Sequence, residues 1–350
     1  MTWTDTLLFW YSENKRLFPW RETKDPYKIW LSEIILQQTR TAQGTPYYER
    51  FIKAFPTVKH LAMATEDRVL KLWQGLGYYS RARNLHHTAQ YIYKERKGVF
   101  PTTFHELLAL QGVGDYTASA IASICYDLPE AVVDGNVYRF LSRFFGISTP
   151  INTSTAHREF KAKATLLLDQ RQPGTFNQAM MEFGALQCAP KNPSCDQCPF
   201  VSNCVAFNQN KITLLPIKNA KIKITERYFN YLVIQDANQK IQIEKRKGKG
   251  IGENLFQFPL VETPKGIKNR TEFIGQLPDE LEGSLDLKAL TLWNKTAVIH
   301  KLSHQKLFIF FWVVPSRAPL EKGLTFRQLK NRAVPVVLQN FIENYFEIQT

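Results

Sequence analysis

Four of the chain's five cysteines, Cys188, Cys195, Cys198 and Cys204, fall within the seventeen residues CAPKNPSCDQCPFVSNC. A disulfide framework fits poorly, because such frameworks belong to short secreted chains. The amino-terminal MTWTDTLLFWYSENKR mixes charge into its apolar residues and lacks a small-residue cleavage site. Clustered thiols in a reducing compartment bind metal. A structural zinc site more often pairs two C-x2-C knuckles, and this run contains one. An iron-sulfur cubane presents four corners to one looping segment and tolerates unequal spacing, and Pro199 after Cys198 suits a tight thiolate turn. The residues favour a cluster over zinc by a small margin and leave both open. Cys125, inside ASAIASICYDL, reads as a buried small hydrophobe.

Two carboxylates could do acid-base or electrostatic work. Glu33 lies in KIWLSEIILQQT, where a helix surrounds it with Ile29, Trp30, Leu36 and Gln37. A carboxyl on so apolar a face is either badly placed or has a raised pKa that lets it act as an acid near neutral pH. Asp134 precedes a glycine at the turn opening a further helix, in VVDGNVYRFLSRFFG, and taken alone it is better read as a helix cap. In LQGVGDYTASAI, Gly112 and Gly114 bracket one valine between helical segments. Such a turn exposes backbone N–H groups beside a positive helix end and makes a phosphate site without side-chain charge. An isolated G-x-G is more often only a turn.

The elements that must position these residues fall into two regions. Residues 1 to about 187 read as successive helices, with apolar residues recurring at three and four and breaks at Pro19, Pro26, Pro56, Pro101, Pro129 and Pro173. Segment 208–225 is polar and basic and reads as a linker. From 226 onward, strand-like runs YFNYLVIQ, QKIQIEKR and KLFIFFWVV alternate with helical stretches near 268–281 and 326–346, an α+β pattern. The 350 residues allow two domains. A net charge of +14 with 44% hydrophobic residues describes a packed protein with a basic surface suited to nucleic acid. The longest apolar run, LFIFFWVVP, is too short to span a bilayer, so a cytoplasmic, DNA-associated protein without membrane contact is expected.

In order along the chain, PWRETKDPYKIWLSEIILQQTR, WQGLGYYSRARNL, LQGVGDYTA, VVDGNVYR, FNQAMMEFGALQC and the cysteine run resemble the adenine DNA glycosylase family of the helix-hairpin-helix superfamily. The resemblance is dense over residues 1–205. It implies an all-α glycosylase domain over 1–207 with a helix-hairpin-helix at about 102–126 and a [4Fe-4S] loop at 188–204, then a linker over 208–225 and a Nudix-like α+β domain over 226–350. The implied partner is double-stranded DNA carrying adenine opposite 8-oxoguanine or guanine, bound by a monomer.

The same resemblance implies site roles. Glu33 would protonate the departing adenine, while Asp134 would stabilise an oxocarbenium-like state. Tyr116 and Asn136 match residues near the sugar and the aspartate. Trp20, Arg21, Leu36 and Glu182 would line the adenine pocket, Gln38 and Tyr78 would enter the base stack, and the turn at Gly112 and Gly114 would hold a DNA phosphate. Lysine at position 116 would imply a Schiff-base lyase; tyrosine implies a monofunctional enzyme using water. In HKLSHQKL, Ser303 and His304 match a loop that reads 8-oxoguanine, with Leu302 in place of that loop's phenylalanine. The run G-x5-E-x7-R-E-x2-E-E is absent, which argues against pyrophosphatase activity. The competing readings are a pyrimidine-damage glycosylase/lyase and a non-enzymatic iron-sulfur DNA-binding regulator.

Overall fold

Helices occupy the first two thirds of the chain and a mixed sheet the last third, in a computed structural model that describes residues 2–219, 224–267 and 269–347. Packing divides the chain into two units, Met1–Met63 with Asn84–Ala220 and Ala64–Arg83 with Lys221–Thr350. The short stretch Ala64–Arg83, which holds the helix Glu66–Trp73, therefore packs with the sheet although it lies among the helical motifs in sequence.

In the first unit Pro19, Pro26 and Pro173 act as helix starts. Pro26 and Pro173 open the helices Pro26–Leu36 and Pro173–Leu186, where the missing N–H has no intrahelical partner to lose. The helix Gly135–Phe145 buries Val137, Phe140, Leu141 and Phe144 on one stripe, against Phe176, Met180 and Phe183 of Pro173–Leu186 and Leu7 and Trp10 of Trp3–Asn14. Each fully buried aromatic contributes roughly 2–3 kcal/mol of transfer free energy. Gly184 lets two of these helices touch: a Cβ there would lie 2.5 Å from the backbone oxygen of Asn136.

In the second unit the strands are β1 (Thr225–Gln235), β2 (Glu244–Lys245), β3 (Phe256–Gln257), β4 (Leu260–Thr263), β5 (Thr291–Leu292), β6 (Val298–Lys301) and β7 (Gln305–Pro315). The main sheet has order β4-β1-β7-β5 with β6 also on β7; β1 and β7 run parallel, and the other pairings are antiparallel. Both central strands are buried on two faces, so they read as continuous apolar runs. Phe229, Tyr231 and Phe311 face Leu338, Phe341 and Ile342 of the helix Val336–Glu347, whereas Leu232, Ile234 and Trp312 face Phe273 and Leu285.

Several segments differ from the sequence reading. Of QKIQIEKR only Glu244–Lys245 forms a strand, and Ile241 makes isolated bridges; glycines 248, 250 and 252, all at positive φ, turn the chain away. The stretch 326–346 is two helices, Phe326–Lys330 and Val336–Glu347, interrupted before Pro335. The stretch 268–281 splits into Arg270–Ile274 and Asp279–Glu282 around Gly275 and Pro278, and Lys268 lies outside the described residues. Within 208–225, Leu215 is buried, its carbonyl accepts from Arg143 Nε at 3.0 Å, and Ile151 N donates to Ile217 O at 2.9 Å, so this part is docked on the helical unit. Residues 220–223 of the same segment lie outside the described residues. No helix among the described residues is long and apolar enough to cross a membrane.

Candidate active site and cysteine loop

A cavity of about 790 Å³ in the helical unit is lined by Trp20, Arg21, Glu33, Leu36, Tyr116, Asp134, Asn136 and Glu182. Eight residues expected to act at one site thus converge from five separate segments. Glu33 projects from the helix Pro26–Leu36 and is buried. Burial pushes its carboxyl up to about 7; a hydrogen bond with Tyr116 and the charge of Arg21 pull it back, while Asp134 pushes it further up. A group with that pKa is half protonated near neutrality and can deliver a proton. Burial holds the Tyr116 phenol well above its usual range, and its hydroxyl also reaches Met181 Sδ at 3.4 Å.

Asp134 is the N-cap of Gly135–Phe145: its Oδ1 accepts from Asn136 N at 2.9 Å and Val137 N at 2.8 Å. Its Oδ2 accepts from Asn136 Nδ2 at 2.7 Å. Burial raises its carboxyl, against these donors, which favour the charged form. The cap and the site are therefore one feature, since the cap aims the carboxylate into the cavity. Arg139, one turn on, holds the amide of Asn136 in this orientation. Its Nη2 donates to Asn136 Oδ1 at 2.8 Å and its Nε to the carbonyl of Cys188 at 2.8 Å.

Glu182, also lining the cavity, accepts five hydrogen bonds: from Arg16 N (2.9 Å), Nε (2.8 Å) and Nη2 (2.8 Å), and from Arg21 Nη1 (3.1 Å) and Nη2 (2.9 Å). Burial alone would raise its carboxyl, but the two guanidinium groups draw it down to about 2. A carboxylate offers about four lone-pair directions, so Glu182 is saturated and orients two arginines toward the cavity. The Phe18 ring lies 5.1 Å from the Arg16 guanidinium and 4.9 Å from that of Arg21, and stacks on Trp20 at 4.8 Å. Trp20 is thereby held as a flat wall for a planar ligand. Gln38, exposed at φ 55°, follows the helix that carries Glu33 and Leu36.

The hairpin consists of the helices Phe104–Leu108 and Asp115–Tyr126. Gly112 has φ 80°, and a Cβ there would meet Asn84 Cβ at 2.8 Å, so the turn requires glycine. Gly114 is the extended residue before the second helix, with open space around it.

The four clustered cysteines line one cavity of about 360 Å³, with Arg143, Phe140, Phe183 and Phe200. Short 3-10 turns, Cys195–Gln197 and Val201–Asn203, set the loop's shape. Phe200 fastens it to the core, with ring centroids 5.1 Å from Trp3, 5.5 Å from Phe140 and 5.2 Å from Phe183. Arg143 is buried and donates to the carbonyl of Ala189 at 2.8 Å and to Cys188 Sγ at 3.5 Å. Burial raises the thiols of Cys188, Cys195 and Cys198, the last to about 11. Among the described residues, no group of three or more His, Cys, Asp or Glu is spaced to hold a single metal ion. Four thiols outside any disulfide around one cavity suit a soft metal group, and Arg143 beside them suits the negative charge that their thiolates would bring.

Tyr78, Ser303 and His304 belong to the other unit, where they line a cavity of about 1,570 Å³. Ser303 and His304 form the tip between β6 and β7 and are exposed, and the Ser303 hydroxyl is hydrogen-bonded to that of Tyr78. Leu302 is partly buried against the sheet core, an apolar packing role open to leucine as to phenylalanine. Arg81 and Arg83 are engaged internally. Arg81 lies 5.0 Å over Trp73, and Arg83 pairs with Glu253 at 2.8 Å.

Sequence reasoning missed Arg16, Arg139, Arg143 and Phe200. Arg139 and Arg143 carried a signal: they stand four apart, which puts two arginines on one side of a single helix. Arg16 carried none, because its partner lies 166 positions away.

Residues 31–164 match the HhH-GPD superfamily base excision DNA repair protein family. The chain is 39% identical to the adenine DNA glycosylase of Buchnera aphidicola subsp. Schizaphis graminum, over 73% of this chain and 74% of that one. It is 43% identical to the adenine DNA glycosylase of Mus musculus, over 97% of this chain and 77% of that one. Among solved structures, a thermostable thymine-DNA glycosylase superposes with a TM-score of 0.55 at 28% identity, over 59% of this chain and 95% of that one. An endonuclease III in a non-covalent DNA complex shares the fold, with a TM-score of 0.52 at 19% identity, over 59% of this chain and 94% of that one.

Proposed function

Since this chain belongs to the adenine DNA glycosylase family, enzymes of base excision repair that hydrolyse N-glycosyl bonds, we propose that it removes adenine opposite 8-oxoguanine or guanine from double-stranded DNA. The observation that carries this reading is the pairing of Glu33, with a carboxyl near 7, and Asp134, held by three hydrogen-bond donors, in one cavity. The flipped adenine stacks on Trp20 beside Leu36, and Arg16 and Arg21, oriented by Glu182, meet its ring nitrogens. Glu33 gives its proton to the base as the C1′–N9 bond breaks and the bonding electrons leave with adenine. The carboxylate of Asp134 faces the positive charge that develops at C1′. Water adds to C1′, its proton passes to the Glu33 carboxylate, and an abasic site remains. Tyr116 has no amine with which to form a Schiff base, so strand cleavage is not part of the cycle.

Cys188, Cys195, Cys198 and Cys204 are the residues that would hold a [4Fe-4S] cluster, whose contribution is to tie the loop into a fixed shape. Purified protein is expected to be brown, with about four iron atoms per chain and no stoichiometric zinc. Cys198→Ser should cut soluble yield and duplex affinity before it changes the chemical step. One zinc and no iron after anaerobic preparation would sink the cluster.

Residues 226–350 are read as a Nudix-like domain that identifies the opposite base, with Ser303 accepting from the N7–H that 8-oxoguanine has and guanine lacks. Truncating this region would also strip the partner of Ala64–Arg83, so a point variant is the cleaner test. Excision should be compared on duplexes with adenine opposite 8-oxoguanine, adenine opposite guanine, and thymine glycol. The intact protein should act on the first two and prefer the first, and Ser303→Ala should lose most of that preference while retaining excision opposite guanine. Activity confined to thymine glycol would overturn the substrate assignment. Unchanged preference in Ser303→Ala would overturn the role of the loop.

A further inference from the structure

The second helix of the hairpin starts with a charge of the wrong sign for its proposed task. Asp115 is its first residue, directly after Gly114, where a carboxylate opposes the approach of a DNA phosphate to the exposed amides. A residue from another helix answers that charge. Lys161, on Ser154–Leu167, places Nζ 3.0 Å from Asp115 Oδ1 and 2.7 Å from Ser119 Oγ, one turn further along. The same ammonium lies 5.4 Å over the ring of Phe104, the first residue of the hairpin's first helix. His157 Nε2 stands 3.5 Å from the same Asp115 oxygen.

This is not an ordinary surface pair. The Lys161 side chain is 19% exposed, and Ser119 is buried. A lysine free to sample solvent would not thread over an aromatic ring to reach a buried hydroxyl. Its protons are directed at Asp115 and Ser119, so it acts on a phosphate through Asp115. We propose that Lys161 is a positioning residue for DNA binding: it neutralises Asp115, so that the amino end of the hairpin helix meets a phosphate with its backbone charge uncancelled. The proposal rests on the reading that this hairpin holds a DNA phosphate.

The test measures duplex affinity, with and without a mispair, for the full-length protein and five variants. Lys161→Met keeps the stem over Phe104 and removes the charge; about fivefold weaker binding to both duplexes is expected, fading as salt rises. Asp115→Asn should bind at least as well as the parent, and the double variant should return to the Asp115→Asn level. Lys161→Arg should retain affinity, which separates lost charge from lost packing if Lys161→Met melts early. The excision rate at saturating enzyme should not move. Parental affinity in Lys161→Met, or a double variant as weak as Lys161→Met, overturns the proposal; the latter result would mean that Lys161 touches the phosphate itself. Gly112→Ala checks the underlying reading separately. If it binds duplex normally, the hairpin is not the phosphate site; if it loses affinity while Lys161→Met does not, only the charge-compensation proposal fails.

Discussion

Asp134→Asn is expected to lower single-turnover adenine excision by on the order of 10²- to 10⁴-fold while leaving duplex affinity close to that of the parent. The substitution is informative because Asp134 is demonstrably a cap, with Oδ1 accepting from the amides of Asn136 and Val137. Asparagine caps about as well, so a residue that did nothing else would tolerate the change. The second oxygen makes the difference. Oδ2 accepts from Asn136 Nδ2, and the amide of Asn136 cannot turn over without losing Arg139, so asparagine at 134 would set two donors against each other. That conflict costs on the order of 1 kcal/mol, visible as a modest fall in Tm. A cost of that size does not unfold a domain of this kind. The decisive pair of measurements is therefore excision and affinity on the same duplex. Folded, DNA-binding protein with near-normal excision would show that the carboxylate does no more than cap the helix.

The second large effect concerns Glu33, and it has opposite signs for rate and stability. As a general acid with a carboxyl near 7, Glu33 should support excision below that pH and progressively less above it. Glu33→Gln should remove that limb of the pH profile together with on the order of 10²- to 10⁴-fold of the rate. For stability, the folded-state value lies above the ordinary carboxyl value of 4.5, so the folded form holds the proton more tightly than the unfolded form. The protein is therefore favoured at pH below about 4.5 and loses that advantage as pH rises through about 7. Above about 7 a buried charge is carried at a cost, and glutamine removes it. Glu33→Gln should thus melt higher than the parent at pH 8 while being nearly inactive, an exchange of stability for function found at many active sites. A variant that melts lower at pH 8, or keeps the pH profile, would show that Glu33 is an ordinary buried residue.

How much of this was legible in the chain depends on how far apart the partners are. The unusual character of Glu33 could be read within one helix, because its neighbours at three and four residues are fixed by helical geometry. Gly112 could be read from its own turn, whose positive φ favours glycine, whereas the crowding by Asn84 could not, since that residue comes from another helix. The cysteine spacing pointed to a metal group because thiolate chemistry is local to a short loop. Asp134 was half legible. Its position before Gly135 showed the cap, but neither its burial nor its approach to Glu33 follows from anything nearby in sequence.

The sequence by itself determined the elements and the chemistry each could offer: an acid on an apolar face, a carboxylate at a helix start, a glycine turn and a thiol loop. The tertiary structure alone decided which of them meet. Periodicity states which side of a helix is buried, and it does not state what that side is buried against. The pairing of Glu182 with Arg16 and Arg21, the reach of Arg139 from Asn136 to the carbonyl of Cys188, and the cover of Asp115 by Lys161 join positions between 46 and 166 residues apart, or elements whose contact depends on Gly184 letting two helices close. The placement of Ala64–Arg83 with the sheet is of the same kind. Its helix Glu66–Trp73 is amphipathic on any reading, and an apolar stripe is satisfied equally well by a neighbouring helix or by a distant one, so only the packed chain selects its partner.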